Sequence, residues 1–348
     1  MSPVWPGDEK TMKAVDVLLE KEGIRRDRNL DYTCVLTGDD GSAVATGSCF
    51  GETLRCFAVD HAHRGEGLLN QVVTHLIQYE AERGKFHLFL YTKPASAPFF
   101  RDLGFFEIAR VPDRLVFMEN RRNGFASYLA GLQRDTERFG GEPGPVQGAL
   151  VMNANPFTLG HRYLAETAAL ACARLHLFVV REELSLIPYA VRRRLVEEGT
   201  ADLPGCCIHS CGPYMISSAT FPSYFLKDEE TVIETQAMLD LQVFAKIAES
   251  LSVTERFVGE EPFSLVTSLY NRVMAEQLPK AGIACRVVPR LERDGVPVSA
   301  SAARTALQQG DMETFRSLVP ETTAKWFASP EAQPVIERIR KAGDVRHY

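Results

Sequence analysis

Apolar and polar positions alternate over much of the first third of the chain, shift to helical spacing, and later take turns in blocks. Residues 32–38 predict a strand and Asp39-Asp40-Gly41 a hairpin turn, because Gly accepts positive φ; residues 42–50 and 54–59 predict two more strands. Residues 68–83 carry apolar side chains three and four apart, which predicts a helix ended by Gly84. A strand at 86–91 and a short helix at 99–103 follow. Between 120 and 145 the pattern weakens: two turn-rich polar stretches flank a short amphipathic one. This predicts a linker over 123–145, joining a domain at 1–122 to a second at 146–348. Beyond it, strands predicted at 146–152, 175–180, 207–211, 256–258 and 283–288 interleave with helices at 161–174, 192–198, 232–249, 265–277 and around Arg304. Such alternation predicts an α/β fold with a parallel sheet covered by helices.

Composition narrows the function classes. At 348 residues the chain has length for two domains, and 45% hydrophobic residues supply real cores. The net charge of −6 gives no global reason to bind nucleic acid or an anionic membrane, although a local cationic pocket remains open. No apolar run reaches membrane-spanning length, and the first residues lack the basic start and apolar core of a secretory signal, so a cytoplasmic setting is expected. Eight scattered cysteines are no disulfide framework. The cluster Cys206-Cys207-Ile208-His209-Ser210-Cys211 is too cramped for two separated metal-ligand knuckles. It reads as a partly buried strand, with no metal expected.

The chemistry concentrates in Asn155-Pro156-Phe157-Thr158-Leu159-Gly160-His161, between a predicted strand and helix. Ligands of open α/β sheets bind past the carboxyl ends of strands, and a helix start there offers N–H groups to phosphate. Thr158 brings a hydroxyl and His161 an imidazole, while Gly160 lets the backbone approach the phosphates. Downstream, Val298-Ser299-Ala300-Ser301-Ala302-Ala303-Arg304 places two hydroxyls at a helix start and a guanidinium one turn in. The pair resembles the nucleotidylyltransferase superfamily, with its T-x-G-H and I-S-x-T/S-x-x-R motifs, here with Val298 in place of Ile. Members cleave the α–β bond of a nucleoside triphosphate. The resemblance implies Thr158, His161 and Arg304 as catalytic residues. It implies ATP contacts at Asn155, Pro156, Phe157, Gly160, Ser299 and Ser301, and at Arg192, Gly259 and Glu260 near other strand ends.

In the first domain, Arg64-Gly65-Glu66-Gly67 opens the helix at 68, and a later helix ends in Gly104-Phe105. These resemble GCN5-related acetyltransferases, whose R/Q-x-x-G-x-G/A turn cradles the coenzyme A pyrophosphate. Arg64 and Gly67 match, and Gly65 lies between them; Leu69 departs. Phe100 stands where many such enzymes carry a proton-donating Tyr, so this domain is expected to grip a coenzyme A-like arm without ordinary acetyl transfer.

The combination resembles the citrate lyase ligase family over nearly the full length, on residues 64–69, 153–164, 216–229 and 298–304. That resemblance implies ATP with Mg²⁺, acetate, and the prosthetic thiol of the citrate lyase acyl carrier subunit as reactants, through acetyl-adenylate. It adds Lys227 as an ATP contact. Two alternatives stay open: an adenylyltransferase acting on a phosphorylated acceptor, with a non-catalytic coenzyme A-binding first domain, and a docking module without turnover.

Overall fold

The two hydrophobic patterns build two sheets. The computed structural model describes residues 1–27, 29–141, 144–182, 184–215, 221, 229–260, 265–293, 295–343 and 345. Its chain divides into two units, Met1–Phe125 with Phe221–Gln242 and Ala126–Thr220 with Val243–Tyr348.

The first unit runs β1 (Ser2–Pro3), α1 (Glu9–Lys21), β2 (Tyr32–Thr37), β3 (Ala43–Phe50), β4 (Thr53–Val59), α2 (Leu68–Ala81), β5 (Phe89–Thr92), α3 (Ala97–Asp102), β6 (Phe106–Val111) and β7 (Leu115–Glu119). The strands form a sheet ordered β1-β2-β3-β4-β5-β7-β6, with β4 and β5 its parallel pair among the described residues. Side-chain alternation sends Cys34 to one face, where Val72, Val73 and Leu76 of α2 pack, and Val35 to the other, where Val15, Leu18 and Leu19 of α1 pack.

β4 and β5 pair only at Thr53↔Phe89 and Leu54↔Leu90. Beyond that point Cys56 takes a φ of 52° and the β3–β4 register shifts, a bulge that turns β4 aside. It also moves Cys56 into the α1-side cluster while Leu54 stays on the α2 side. A cavity of about 710 Å³ lies beside the parted ends, lined by Phe57 and Val59 of β4, Thr92 of β5, Arg64, Gly65 and Gly67 of the turn, and Phe100.

Next come α4 (Gly124–Phe139), β8 (Gln147–Met152), α5 (Leu159–Ala171), β9 (Arg174–Val179), α6 (Tyr189–Gly199), β10 (Cys206–Ser210), α7 (Glu229–Ser250), β11 (Glu255–Gly259), α8 (Leu265–Gln277), β12 (Ala284–Val288), the short pair β13 (Glu292–Arg293) and β14 (Val296–Pro297), and α9 (Ala300–Gln309). The amphipathic stretch inside the expected linker is α4, a helix of 16 residues. β8 to β12 form a parallel sheet ordered β10-β9-β8-β11-β12. The order reverses direction between β8 and β11, so the crevice past their carboxyl ends is the switch point where such sheets bind ligands. Three terminal helices that the alternating pattern does not foretell, α10 (Met312–Leu318), α11 (Glu321–Phe327) and α12 (Gln333–Lys341), close this core with Phe315, Trp326, Phe327, Ile336 and Ile339. No helix among the described residues is long and apolar enough to cross a membrane.

The β3–α2 contact depends on a missing Cβ. One added at Gly47 would lie 2.5 Å from Val72 Cγ1 and 3.0 Å from Phe57. Gly47→Ala is therefore expected to destabilise the first unit by about 1–3 kcal/mol. Thermal melting checks this; an unchanged melting temperature contradicts the packing described.

Candidate functional site

Past the end of β8 the chain turns through Asn153 and Ala154, whose φ is 52°, to Asn155, joined to Pro156 by a cis peptide bond. Phe157 then plugs the core: it is fully buried, and a Cβ added to Gly199 would sit 2.4 Å from its ring. With the ring fixed, Thr158 falls at the N-cap of α5 in extended geometry. His161 N–H donates to Thr158 Oγ1 (3.4 Å), and Thr158 N–H donates to His161 Nδ1 (3.1 Å), a reciprocal cap.

That cap sets the chemistry of the imidazole. A backbone N–H only donates, so Nδ1 is the lone-pair nitrogen and the ring proton resides on Nε2. Burial, followed by the charges of Arg290 and Arg304, pushes the His161 pKa down to about 4. At neutral pH His161 is thus an uncharged Nε2–H donor.

The second motif meets the first directly. Ser299 caps α9 by accepting from Ala302 N–H (3.1 Å). A Cβ on Gly160 would lie 2.8 Å from the Val298 carbonyl oxygen, so the glycine makes room for the other motif as well as for a ligand. Arg304 is buried, donating from Nη1 to the Asn155 carbonyl (2.5 Å), from Nε to the Val345 carbonyl (2.6 Å) and from Nη2 to Ser301 Oγ (3.4 Å). It clamps the two motifs to each other.

Several expected ATP contacts sit differently. Arg192 has no exposed surface and donates to the carbonyls of Ile187, Asn153, Val180 and Glu182, and to Asn153 Oδ1, at 2.7–3.0 Å. These bonds staple the ends of β8 and β9 to the loop before α6. Phe157 likewise faces the core and presents no surface to ligand. Pro156 is buried beside it. Gly259 ends β11 and accepts from Asn271 Nδ2 (3.1 Å); the exposed Glu260 follows, its carbonyl accepting from Arg290 Nε (2.9 Å). Lys227 lies outside the described residues.

The sequence reading missed two residues. Asn153 ties Arg192 to Ser185 through its side-chain amide. Arg290 lies two residues past β12, close enough for its charge to act on His161. Both follow strand ends, the one sequence signal that would have found them. Asn155 carries the clearest ligand signature. Its Oδ1 accepts from Ile187 N–H (3.2 Å), while its buried Nδ2 has no partner among the described residues. A buried amide without an acceptor costs about 1–3 kcal/mol.

In the first unit, Gly65 and Gly67 take φ of 91° and 72°, and Gly67 starts α2 with no side-chain cap. Arg64 pairs with Glu22, and both line the cavity. Phe100 is buried against Phe57 and Phe105, with ring centroids 5.3 and 6.3 Å away.

Residues 147–327 match the family described as Citrate lyase ligase C-terminal domain. The chain is 38% identical to a [Citrate [pro-3S]-lyase] ligase of Klebsiella pneumoniae, over 92% of this chain and 93% of that protein. It is 37% identical to that of Escherichia coli (strain K12), over 97% and 95%. Among solved structures, a putative acyl-CoA N-acyltransferase of Klebsiella pneumoniae subsp. pneumoniae MGH 78578 is similar at 18% identity, over 34% of this chain and 93% of that one, with a TM-score of 0.29.

The depressed His161 pKa has a defined sign. The fold favours the neutral ring, so this contribution to stability is present above the ordinary value of 6.5 and is lost as pH falls through about 4. An NMR titration of the ring is expected to give a midpoint near 4. A midpoint at the ordinary value would contradict the neutral donor.

Proposed function

As the chain belongs to the citrate lyase ligase family, we propose that this ligase uses ATP to acetylate the prosthetic thiol of the citrate lyase acyl carrier subunit, through acetyl-adenylate. The observation that carries the site assignment is the clamp of Arg304 on Asn155, which joins a capped Thr158–His161 pair to the Ser299–Ser301 helix start in one donor-rich crevice.

An acetate oxygen attacks the α-phosphorus, the α–β bridging bond breaks, and pyrophosphate leaves. The prosthetic thiolate then attacks the acetyl carbonyl and AMP departs. The chain contributes mainly positioning and charge stabilisation. Neutral His161 offers Nε2–H to α-phosphate oxygens as charge builds, without needing to lose a proton. The first turn of α9, with Ser299 and Ser301, faces the departing β- and γ-phosphates, and Arg290 adds positive potential. The unpartnered Asn155 Nδ2 supplies a donor for a substrate oxygen. The donors gathered here are neutral or cationic, with Glu260 the carboxylate at the adjoining strand end. This set suits Mg²⁺ held mainly by the triphosphate's own oxygens, where it neutralises charge.

The first-unit cavity receives the prosthetic arm, its pyrophosphate at the uncapped start of α2 beside Gly65 and Gly67. Acetyl-adenylate is a mixed anhydride, so thiolate attack needs no phenol at Phe100. This chemistry belongs to a soluble cytoplasmic enzyme.

Acetate-dependent exchange of pyrophosphate into ATP is expected without the carrier, and Asn155→Ala should reduce it by about tenfold or more, in line with loss of a hydrogen bond to a charged group. Exchange equally fast without acetate, or with a phosphomonoester in its place, would favour adenylyl transfer to a phosphorylated acceptor. Gly67→Val should leave exchange intact and slow acetylation of the carrier. Unimpaired carrier acetylation would remove the first-unit cavity from the reaction.

A further inference from the structure

β10 is an edge strand, paired among the described residues with β9 alone. The parallel register sets Cys207 opposite His176 and His209 opposite Phe178. Because alternate residues share a face, His176, Cys207 and His209 point the same way, while Cys206 and Ile208 point to the other side. They are 0%, 3% and 1% exposed. One ligand atom from each lies within 4.8 Å of the others.

The two imidazoles touch through His176 Nδ1 and His209 Nε2, 2.9 Å apart. Their outer nitrogens, His176 Nε2 and His209 Nδ1, are buried without a hydrogen-bond partner among the described residues. Two neutral rings hold two protons among four nitrogens, and the shared hydrogen bond uses one donor and one acceptor. Whichever tautomers are present, one buried donor and one buried acceptor stay unmet, so hydrogen bonding within the protein does not account for this pair.

We propose that His176, Cys207 and His209 form a buried three-ligand site for a soft divalent cation of the zinc class. The facing ring nitrogens and the Cys207 sulfur are the ligands, and one further position is left for water. Thiolate with imidazole is the donor set such ions select. Tetrahedral zinc separates two nitrogens by about 3.3 Å and a nitrogen from sulfur by about 3.6 Å, so the cluster closes with side-chain shifts of about 1 Å. Binding turns the Cys207 thiol into a thiolate and releases one proton; the ring proton shared between the imidazoles moves to the bare outer nitrogen, the other outer nitrogen already carrying its own, with no redox change. Asp135 on α4 lies near enough for its charge to act on Cys207 and His209, which favours a dication. Arg174 opposes it, but its guanidinium is held by the carbonyls of Gly140 and Gly141. The ion would pin the edge strand to its neighbour through side chains as well as backbone.

The spacing within residues 206–211 does not reveal such a site, because its other imidazole comes from β9. The test uses the reduced full chain after chelator treatment, titrated with Co²⁺ and then Zn²⁺. The expected result is a thiolate-to-cobalt charge-transfer band saturating at one equivalent, displaced by zinc, with one proton released and a raised melting temperature. Cys207→Ser should abolish the band, whereas Cys206→Ser, on the opposite face, should keep it. Absence of the band in the unsubstituted chain, binding only at many equivalents, or a band that survives Cys207→Ser would overturn the proposal.

Discussion

A single buried guanidinium holds the candidate site together. Arg304 and Asn155 are 149 positions apart, yet the Nη1–carbonyl bond between them fixes how α9 meets the loop after β8. The close approach of Gly160 to Val298 beside it is possible only because Gly160 has no Cβ. The Thr158–His161 cap then inherits its orientation from the same loop, whose other anchor is the buried Phe157 ring. Breaking the clamp would leave each motif locally intact and the pair without a shared geometry.

The same constraint explains how a chain of net charge −6 makes room for a triphosphate. The carboxyl end of a parallel sheet presents carbonyl oxygens, which repel anions. Arg192 covers carbonyls after β8 and β9, and Arg304 covers that of Asn155. Both arginines satisfy backbone acceptors and leave positive potential in the crevice. His161, kept neutral by burial and by the charges of Arg290 and Arg304, donates without the large desolvation cost of a further buried cation. In the proposed reaction such a site holds anions largely through preorganised dipoles, which need little rearrangement as charge shifts between phosphates.

Much of this was legible in the sequence. The strand–helix alternation predicts the parallel sheet that is observed, and the two motifs holding Thr158, His161, Ser299 and Arg304 do meet, through Arg304 on Asn155 and Gly160 against Val298. What was not legible has a common physical cause. A sequence shows that a cation stands near a strand end, but not whether backbone carbonyls or a ligand take its donors; Arg192 turned on that difference. Phe157 sat inside the motif and served the core, because burial depends on the distant Gly199. His176 joined His209 only through strand register. Helices α10 to α12 follow the alternating region and obey no βα period, so the pattern that exposed the sheet was silent about them.

In the proposed reaction a carboxylate oxygen attacks the α-phosphorus in the crevice organised by Arg304 and His161. The most direct measurement is a turnover with acetate labelled with ¹⁸O in both oxygens, ATP and the thiol-form carrier, followed by mass spectrometry of the nucleotide product. Attack by acetate leaves one labelled oxygen on the phosphate of AMP when the thiol takes the acetyl group. Unlabelled AMP, or label appearing instead in inorganic phosphate with ADP as product, would contradict the account.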